Sequence, residues 1–349
     1  MSSSSLLQHR SALRQRGVSL IELMISMTIG LIIMIAVISA YIGASGAGRT
    51  AEAIARMNED GQAALTILTQ QLRMAGANPS QPDRWSVSFT TGSARGNSVP
   101  LHNSVTNAYA IRGCDDRFTD VTTANSTTLL TCNHTAGSTG PDSISIAYEA
   151  DRYNTIATAA GVPTDCMGNG ITPLTLAPGY LNGAGVAAGS TLIYEAENRF
   201  YIGTSAFVIN PTLYCRGNGT TTGQPLVENI ENLQFSYGTV DPKTTTAPIY
   251  VTVTPTFTTT MVLGYLSAFG VDNDVTTLQG AAGTATPARW NAVRAVRVCV
   301  VVRSEQAIAV TADGTNASKY LDCTGTLVTP PSDGRLRRSY TTTVMLRNK

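Results

Sequence analysis

Charge is scarce in this 349-residue chain: Asp, Glu, Lys and Arg make up 13% of it. They nearly cancel, 24 basic against 23 acidic residues. Such near-neutrality gives no basic stripe to draw phosphates, so nucleic acid is not an expected partner. Histidine is scarcer still, at three residues. His102 and His134 have no nucleophile or ligand motif nearby and read as surface or loop residues. No C-x-x-C pair occurs, which argues against a zinc ribbon or a thioredoxin-like site. Gly43, Gly46 and Gly48 do not follow a strand, so they form no dinucleotide loop and read as a flexible neck. Asp115-Asp116…Asp120 and Asp272-Asn273-Asp274 lack the twelve-residue loop and terminal glutamate of an EF-hand, and read as solvated turn acids. No catalytic chemistry, cofactor or metal is expected.

The richest segment is an apolar run, Val18–Tyr41, which has no charged residue from Leu23 onward. As a helix rising ~1.5 Å per residue it is about 36 Å long, enough to cross a ~30 Å hydrocarbon core. Arg10, Arg14 and Arg16 precede it without a balancing acid. That asymmetry places the N-terminus in the cytoplasm and everything after Tyr41 outside the inner membrane. An ordinary secretory signal has a small-residue cleavage site after its apolar core. Here the nearest candidate, Gly43-Ala44-Ser45-Gly46, is poor, and the small residue Gly17 stands before the run instead. One carboxylate, Glu22, lies inside the otherwise apolar helix and calls for a partner.

Arginines, Gly17, Glu22 and the apolar span together resemble the leader of type IV prepilins. The resemblance implies that a prepilin peptidase cuts between Gly17 and Val18, that Val18 is N-methylated, and that Glu22 serves subunit assembly. A plain interfacial acid snorkelling to the headgroups is the alternative for Glu22. Major pilins usually begin with phenylalanine, and valine is commoner in minor pilins. Where major pilins tend to carry a helix-breaking proline this chain has Ser39, so melting of the helix falls to Gly43, Gly46 and Gly48. After the cut, 24 less the three leader arginines leaves 21 basic against 23 acidic residues.

Beyond the span, Ala51–Ala75 continues the helix, with Ile54, Met57, Gly61, Ala64, Leu65, Leu68 and Leu72 on one apolar face. Gly76, Asn78 and Pro79 end it, and the face is expected to pack on the chain's own sheet. Abundant Thr, Ser, Gly and Ala suit a β-rich extracytoplasmic body. Strand-like pieces occur at Trp85–Thr90, Tyr109–Arg112 and Ser143–Tyr148. Leu192–Tyr194 and Phe200–Ile202 read as a hairpin turning through Glu195–Asn198, and Phe207–Ile209 with Thr212–Cys215 as another turning at Asn210-Pro211. Leu233, Phe235 and Tyr237 share one side of a strand. Val296, Val298, Val300 and Val302 alternate with Arg297, Cys299, Val301 and Arg303. In the last strand Leu336, Arg338, Tyr340, Thr342, Val344 and Leu346 lie on one face. All six cysteines, Cys114, Cys132, Cys166, Cys215, Cys299 and Cys323, follow the span, and an even count in an oxidising compartment reads as three disulfides. Of fifteen pairings, nearest-neighbour pairing is expected because each pair closes a local loop of Gly, Ser and Thr.

Three C-terminal blocks, Val227–Gly238, Ala292–Val298 and Arg335–Asn348, look like the signature of PilW-type minor pilins, a family of type IV pilus proteins related to the J-type pseudopilins of type II secretion. The resemblance implies an α+β, pilin-like fold: a long N-terminal helix, membrane-spanning in its first half, packed on an antiparallel β-rich globular domain with long loops. It divides the chain into a cleaved cytoplasmic leader (1–17), a transmembrane helix (18–41), a periplasmic amphipathic continuation (42–78) and a β-rich extracytoplasmic domain (79–349). The implied role is non-catalytic: helping to initiate a type IV pilus and sitting at or near its tip. The implied partners are the prepilin peptidase, other minor pilins and a tip adhesin, the major pilin, and the inner-membrane assembly platform. A secretion pseudopilin and a tip-exposed adhesive module are the alternatives.

Overall fold

The computed structural model describes residues 17–77, 110–121, 130–133, 138, 140–175, 192–204, 210–220, 222–240, 262, 264–273, 287–308 and 319–348. The chain divides into two units, Met1–Glu52 and Ala53–Lys349. One helix, α1 (Leu20–Met74, 55 residues), runs through the division.

In the first unit every large apolar side chain of α1 is exposed, from Leu20 (79%) to Ile42 (65%). Three hydroxyls in this stretch are satisfied within the helix. Ser26, Thr28 and Ser39 each donate to a carbonyl three residues back, Leu23, Ile25 and Ala36, at 2.9 Å. These three hydroxyls are thereby not offered to an apolar surrounding. Gly43, Gly46 and Gly48 are helical, where a neck was expected.

In the second unit the same helix buries Met57, Gly61, Ala64, Leu65, Leu68 and Leu72. Their three- and four-residue steps keep them on one stripe. Ile54, expected on that stripe, is 40% exposed and lies one turn before the burial begins. The helix ends where Gly76 turns left-handed (φ 71°) and donates its N–H to the Ala147 carbonyl at 2.9 Å. Glycine takes that conformation without a Cβ penalty.

Among the described residues two antiparallel sheets form most of the body. The first has β1 (Ile111–Cys114), β2 (Ser143–Ala150), β3 (Leu174–Thr175), β4 (Leu192–Gly203), β5 (Thr212–Arg216) and β6 (Gln224–Glu228). They are ordered β1-β2-β4-β5-β6, with β3 paired to β4. The second uses β7 (Ile230–Thr239), β8 (Gly264–Leu266), β9 (Val293–Arg303) and β12 (Arg337–Met345), in the order β12-β9-β7-β8. A small hairpin, β10 (Tyr320–Leu321) with β11 (Leu327–Val328), pairs into neither sheet and lies against β12. Two short helices, α2 (Ala268–Asn273) and α3 (Pro287–Asn291), complete the body. Asn229, at φ 63°, carries the chain from β6 in one sheet to β7 in the other.

One core joins the helix to both sheets: Leu68 and Leu72 of α1, Ile144 and Ile146 of β2, Phe200 of β4, Leu233 and Tyr237 of β7, and Val296 to Val302 of β9 belong to it. In β9 the four even valines are fully buried; on the other face Arg297 is exposed, while Cys299 and Val301 are buried as well.

The expected hairpin across Glu195–Asn198 is absent. Residues 192–203 form one straight strand paired with β2 from Ala150–Tyr194 to Ile144–Phe200. The polar residues read as a turn are buried and partnered instead. Glu197 receives Ser145 Oγ at 2.8 Å and Arg199 Nε at 2.9 Å, while Asn198 Nδ2 donates to Gln71 Oε1 at 2.8 Å. Buried polar groups that find partners across the fold do not break a strand. Of the second expected hairpin, Thr212–Cys215 is strand and Phe207–Ile209 lies outside the described residues, as does Trp85–Thr90.

Candidate assembly site

Gly17, Val18 and Ser19 precede the first turn of α1, and all three are exposed. A side chain added at Gly17 would meet nothing within 4 Å. Arg10, Arg14 and Arg16 lie outside the described residues. Ser19 is the N-cap, since its carbonyl accepts the first helical bond from Leu23 N at 3.1 Å. Glu22 falls at the third helical position, and its Oε2 accepts the Ser19 N–H at 3.4 Å. This is one half of a capping box, in which a carboxylate reaches back over the first turn. The positive end of the helix dipole also favours a carboxylate there. Ser19-Leu20-Ile21-Glu22 has the serine-to-glutamate spacing that signals such a cap, a cue distinct from the prepilin motif. Glu22 is therefore held by the chain's own backbone before any other subunit is considered.

A second polar group lies in the seam between the two sheets. Asp142, just before β2, accepts Phe235 N of β7 at 2.7 Å and Asp116 N at 3.3 Å, and donates its own N–H to the Leu233 carbonyl at 2.7 Å. Burial pushes its carboxyl up to about 8, and the nearby acids Asp115 and Asp116 add to this. Asp115 caps α2 by accepting Ala268 N and Phe269 N, both at 2.8 Å. Asp272 of α2 pairs with Arg112 of β1 at 2.9 Å and accepts Trp290 Nε1 at 2.9 Å. Arg289 reaches the Asp272 carbonyl, and the Arg112 guanidinium lies 5.0 Å from the Trp290 ring centre. The Tyr237 phenol faces this group and is raised well above its ordinary range, first by burial and then by Asp142 and Asp115.

Asp115 and Asp272 are thus not solvated turn acids: they are 6% and 2% exposed. An aspartate that caps a buried helix, or pairs with a buried arginine, must leave water to do so. Sequence reasoning missed Arg112, Asp142, Trp290 and Arg289. None belongs to a periodic pattern, and the hydrogen-bond partners described above lie 17 to 160 residues away. Among the described residues no three His, Cys, Asp or Glu side chains are grouped to hold a metal ion. His102 and His134 lie outside them.

The cysteines pair as Cys114–Cys132, Cys166–Cys215 and Cys299–Cys323. Each bond fastens peripheral chain to a strand: β1, β5 and β9 in turn.

The N-terminal motif and the helix–sheet body both have counterparts among known families. The prokaryotic N-terminal methylation motif matches residues 13–38. The family described as type IV pilus-assembly protein W matches residues 199–348, from within β4 to the end of the last strand. Among solved structures, a type IV-like pilin from Thermus thermophilus is similar with a TM-score of 0.27 and 12% identity, over 86% of this chain and 98% of that one. No curated protein matches. A methylation motif on a long apolar helix, followed by antiparallel sheets, defines a type IV pilin-like protein. More particularly, its C-terminal part, residues 199–348, carries the domain of the type IV pilus-assembly protein W family.

Proposed function

We propose that the protein helps to start a type IV pilus and sits at or near the tip, just below a capping subunit. On this reading residues 1–17 are a cytoplasmic leader, 18–41 cross the inner membrane, and the body lies in the periplasm until assembly. Prepilin peptidase cuts after Gly17, and the new Val18 amine is methylated. The observation that carries the reading is Glu22, the one carboxylate in the apolar stretch 18–41, whose large apolar side chains are all exposed. Its Oε2 holds the chain's own Ser19 N–H. A carboxylate has two oxygens and about four acceptor sites, which leaves capacity for the methylated amine of an incoming subunit. Meeting that amine lets the helix leave the membrane without an unpaired charge. Partners on this reading are other minor pilins, a tip adhesin, the major pilin and the inner-membrane platform.

The experiment is Glu22→Ala, with Gly17→Val as the reference for an uncut precursor. Glu22→Ala should be processed and inserted normally, yet give fewer pili and weaker crosslinking to other minor pilins. Piliation and crosslinking equal to the parent would overturn the assembly role. Normal pili with a loss of type II secretion would instead make it a pseudopilin.

A further inference from the structure

We propose that the free edge of β12 is a docking site for an extended, acidic-ended segment of another protein, which adds to the second sheet as a further strand. The bonds at its two ends fix the parity of β12. Ser304 N donates to the Leu336 carbonyl and Leu346 N to the Arg294 carbonyl, both at 2.8 Å. The register to β9 runs from Arg337–Arg303 to Met345–Ala295 without a shift. Even-numbered residues therefore turn their N–H and C=O groups to β9, and odd-numbered residues turn theirs away. Ser339, Thr341, Thr343 and Met345 present backbone groups to the open side, and among the described residues those groups have no hydrogen-bond partner. Their side chains are half-buried at Ser339 and exposed at the other three.

Natural sheets blunt their edges with proline, brevity or cover. The other edges here are blunted in those ways. β6 contains Pro225, β8 has three residues, and β1 is buried throughout. β12 has nine residues, no proline and a Thr-Thr-Thr centre; the β10–β11 hairpin lies against it without pairing to it, and Thr341, Thr343 and Met345 stay exposed.

Charge selects the occupant. Arg338 and Arg347 flank the open stretch, both exposed, and among the described residues no carboxylate pairs with either; Arg338 lies 5.6 Å from the Tyr340 ring centre and 3.5 Å from Asn58 Oδ1. Arg337, by contrast, is already held by Glu231 and Asp333. The sequence has no acid after Asp333. A second copy is disfavoured: antiparallel pairing about Thr341 would set Arg347 of one chain opposite Arg335 of the other, and facing like charges are destabilising. An acidic residue at each end of an added strand would instead meet Arg338 and Arg347.

The test uses the full-length chain in detergent and a short labelled peptide of alternating Val and Thr, with Glu at both ends in one version and Lys in the other. The Glu version should bind at least about tenfold more tightly, with the difference shrinking at high salt. Binding should slow hydrogen exchange at the Thr341 and Thr343 amides. Thr341→Pro removes an outward N–H that no bond of the fold uses, so it should keep the parental melting temperature and weaken binding at least about tenfold. Equal binding of the two peptides, no binding of the Glu version, binding that leaves those amides unprotected, or a dimer that protects them without peptide would overturn the proposal. If Thr341→Pro proves unstable, the exchange measurement on the parent decides.

Discussion

Asp142 shows how one buried side chain ties the body to pH. Its carboxyl is pushed up to about 8 in the fold against 3.8 in the open chain. Between those values the folded state holds a proton that the unfolded state has released. Stability is therefore fullest below the lower value and falls as pH rises toward the upper one, by at most roughly 1.4 kcal/mol per pH unit for this group. The two backbone N–H donors from Phe235 and Asp116 work against the shift, but burial beside Asp115 outweighs them. Asp142→Asn carries no charge and should flatten this dependence, although losing one acceptor lowers stability at every pH. Urea midpoints of both proteins from mildly acidic to mildly alkaline buffer check this. Parallel slopes would mean that Asp142 stays ionised in the fold.

At the scale of elements, the contact of α1 with β12 rests on an absent side chain. A Cβ at Gly61 would stand 2.6 Å from Cδ2 of Tyr340 and 2.9 Å from its Cγ. The Tyr340 phenol also reaches Asn58 Oδ1, one turn earlier, at 2.6 Å. Glycine inside a helix costs about 1 kcal/mol against alanine. That cost is offset here because the ring needs the space. Gly61→Ala should lower stability by roughly 1–3 kcal/mol, as overpacking does. With Tyr340→Ala in place, the same substitution should raise stability by up to about 1 kcal/mol. Denaturant unfolding of the double-mutant cycle reads the change of sign, and a stabilising Gly61→Ala in the parent would sink the account. Elements of this kind were legible in the sequence wherever one face was wet. The helix stripe, β9 and β12 all alternate, so their periods could be counted. β4 was not legible, because Glu195, Glu197, Asn198 and Arg199 are buried and paired with distant residues, which erases the polar-out pattern. Glu22 was legible as an oddity, and the Ser19-to-Glu22 spacing holds the cue to its bond with the Ser19 N–H. The seam residues were illegible for the same reason as β4, since each is defined by a partner far along the chain.

At the scale of the whole body, none of the three disulfides joins the six-stranded sheet to the four-stranded one. Each holds peripheral chain to its own sheet, while the sheets are joined by the common core and by the Asp142 and Arg112–Asp272 contacts. Removing a disulfide should therefore loosen a loop and leave the junction of the sheets standing. Cys166–Cys215 closes the longest loop, with a separation of 49 residues against 18 and 24. Chain entropy assigns it at most about 4 kcal/mol. The segment it fastens includes Tyr153 and Ile156, which are 85% and 86% exposed. Alkylation of the unfolded, unreduced parent should label none of the six cysteines. Replacing Cys166 and Cys215 by serine should speed chymotryptic cutting at Tyr153 and lower the melting temperature. The environment of Trp290, fully buried with its ring 4.9 Å from that of Tyr237, should stay native-like at low temperature. Near-ultraviolet circular dichroism reports that environment. Loss of the native signal in the serine variant would show that the disulfide supports the joint between the sheets, and not the loop alone.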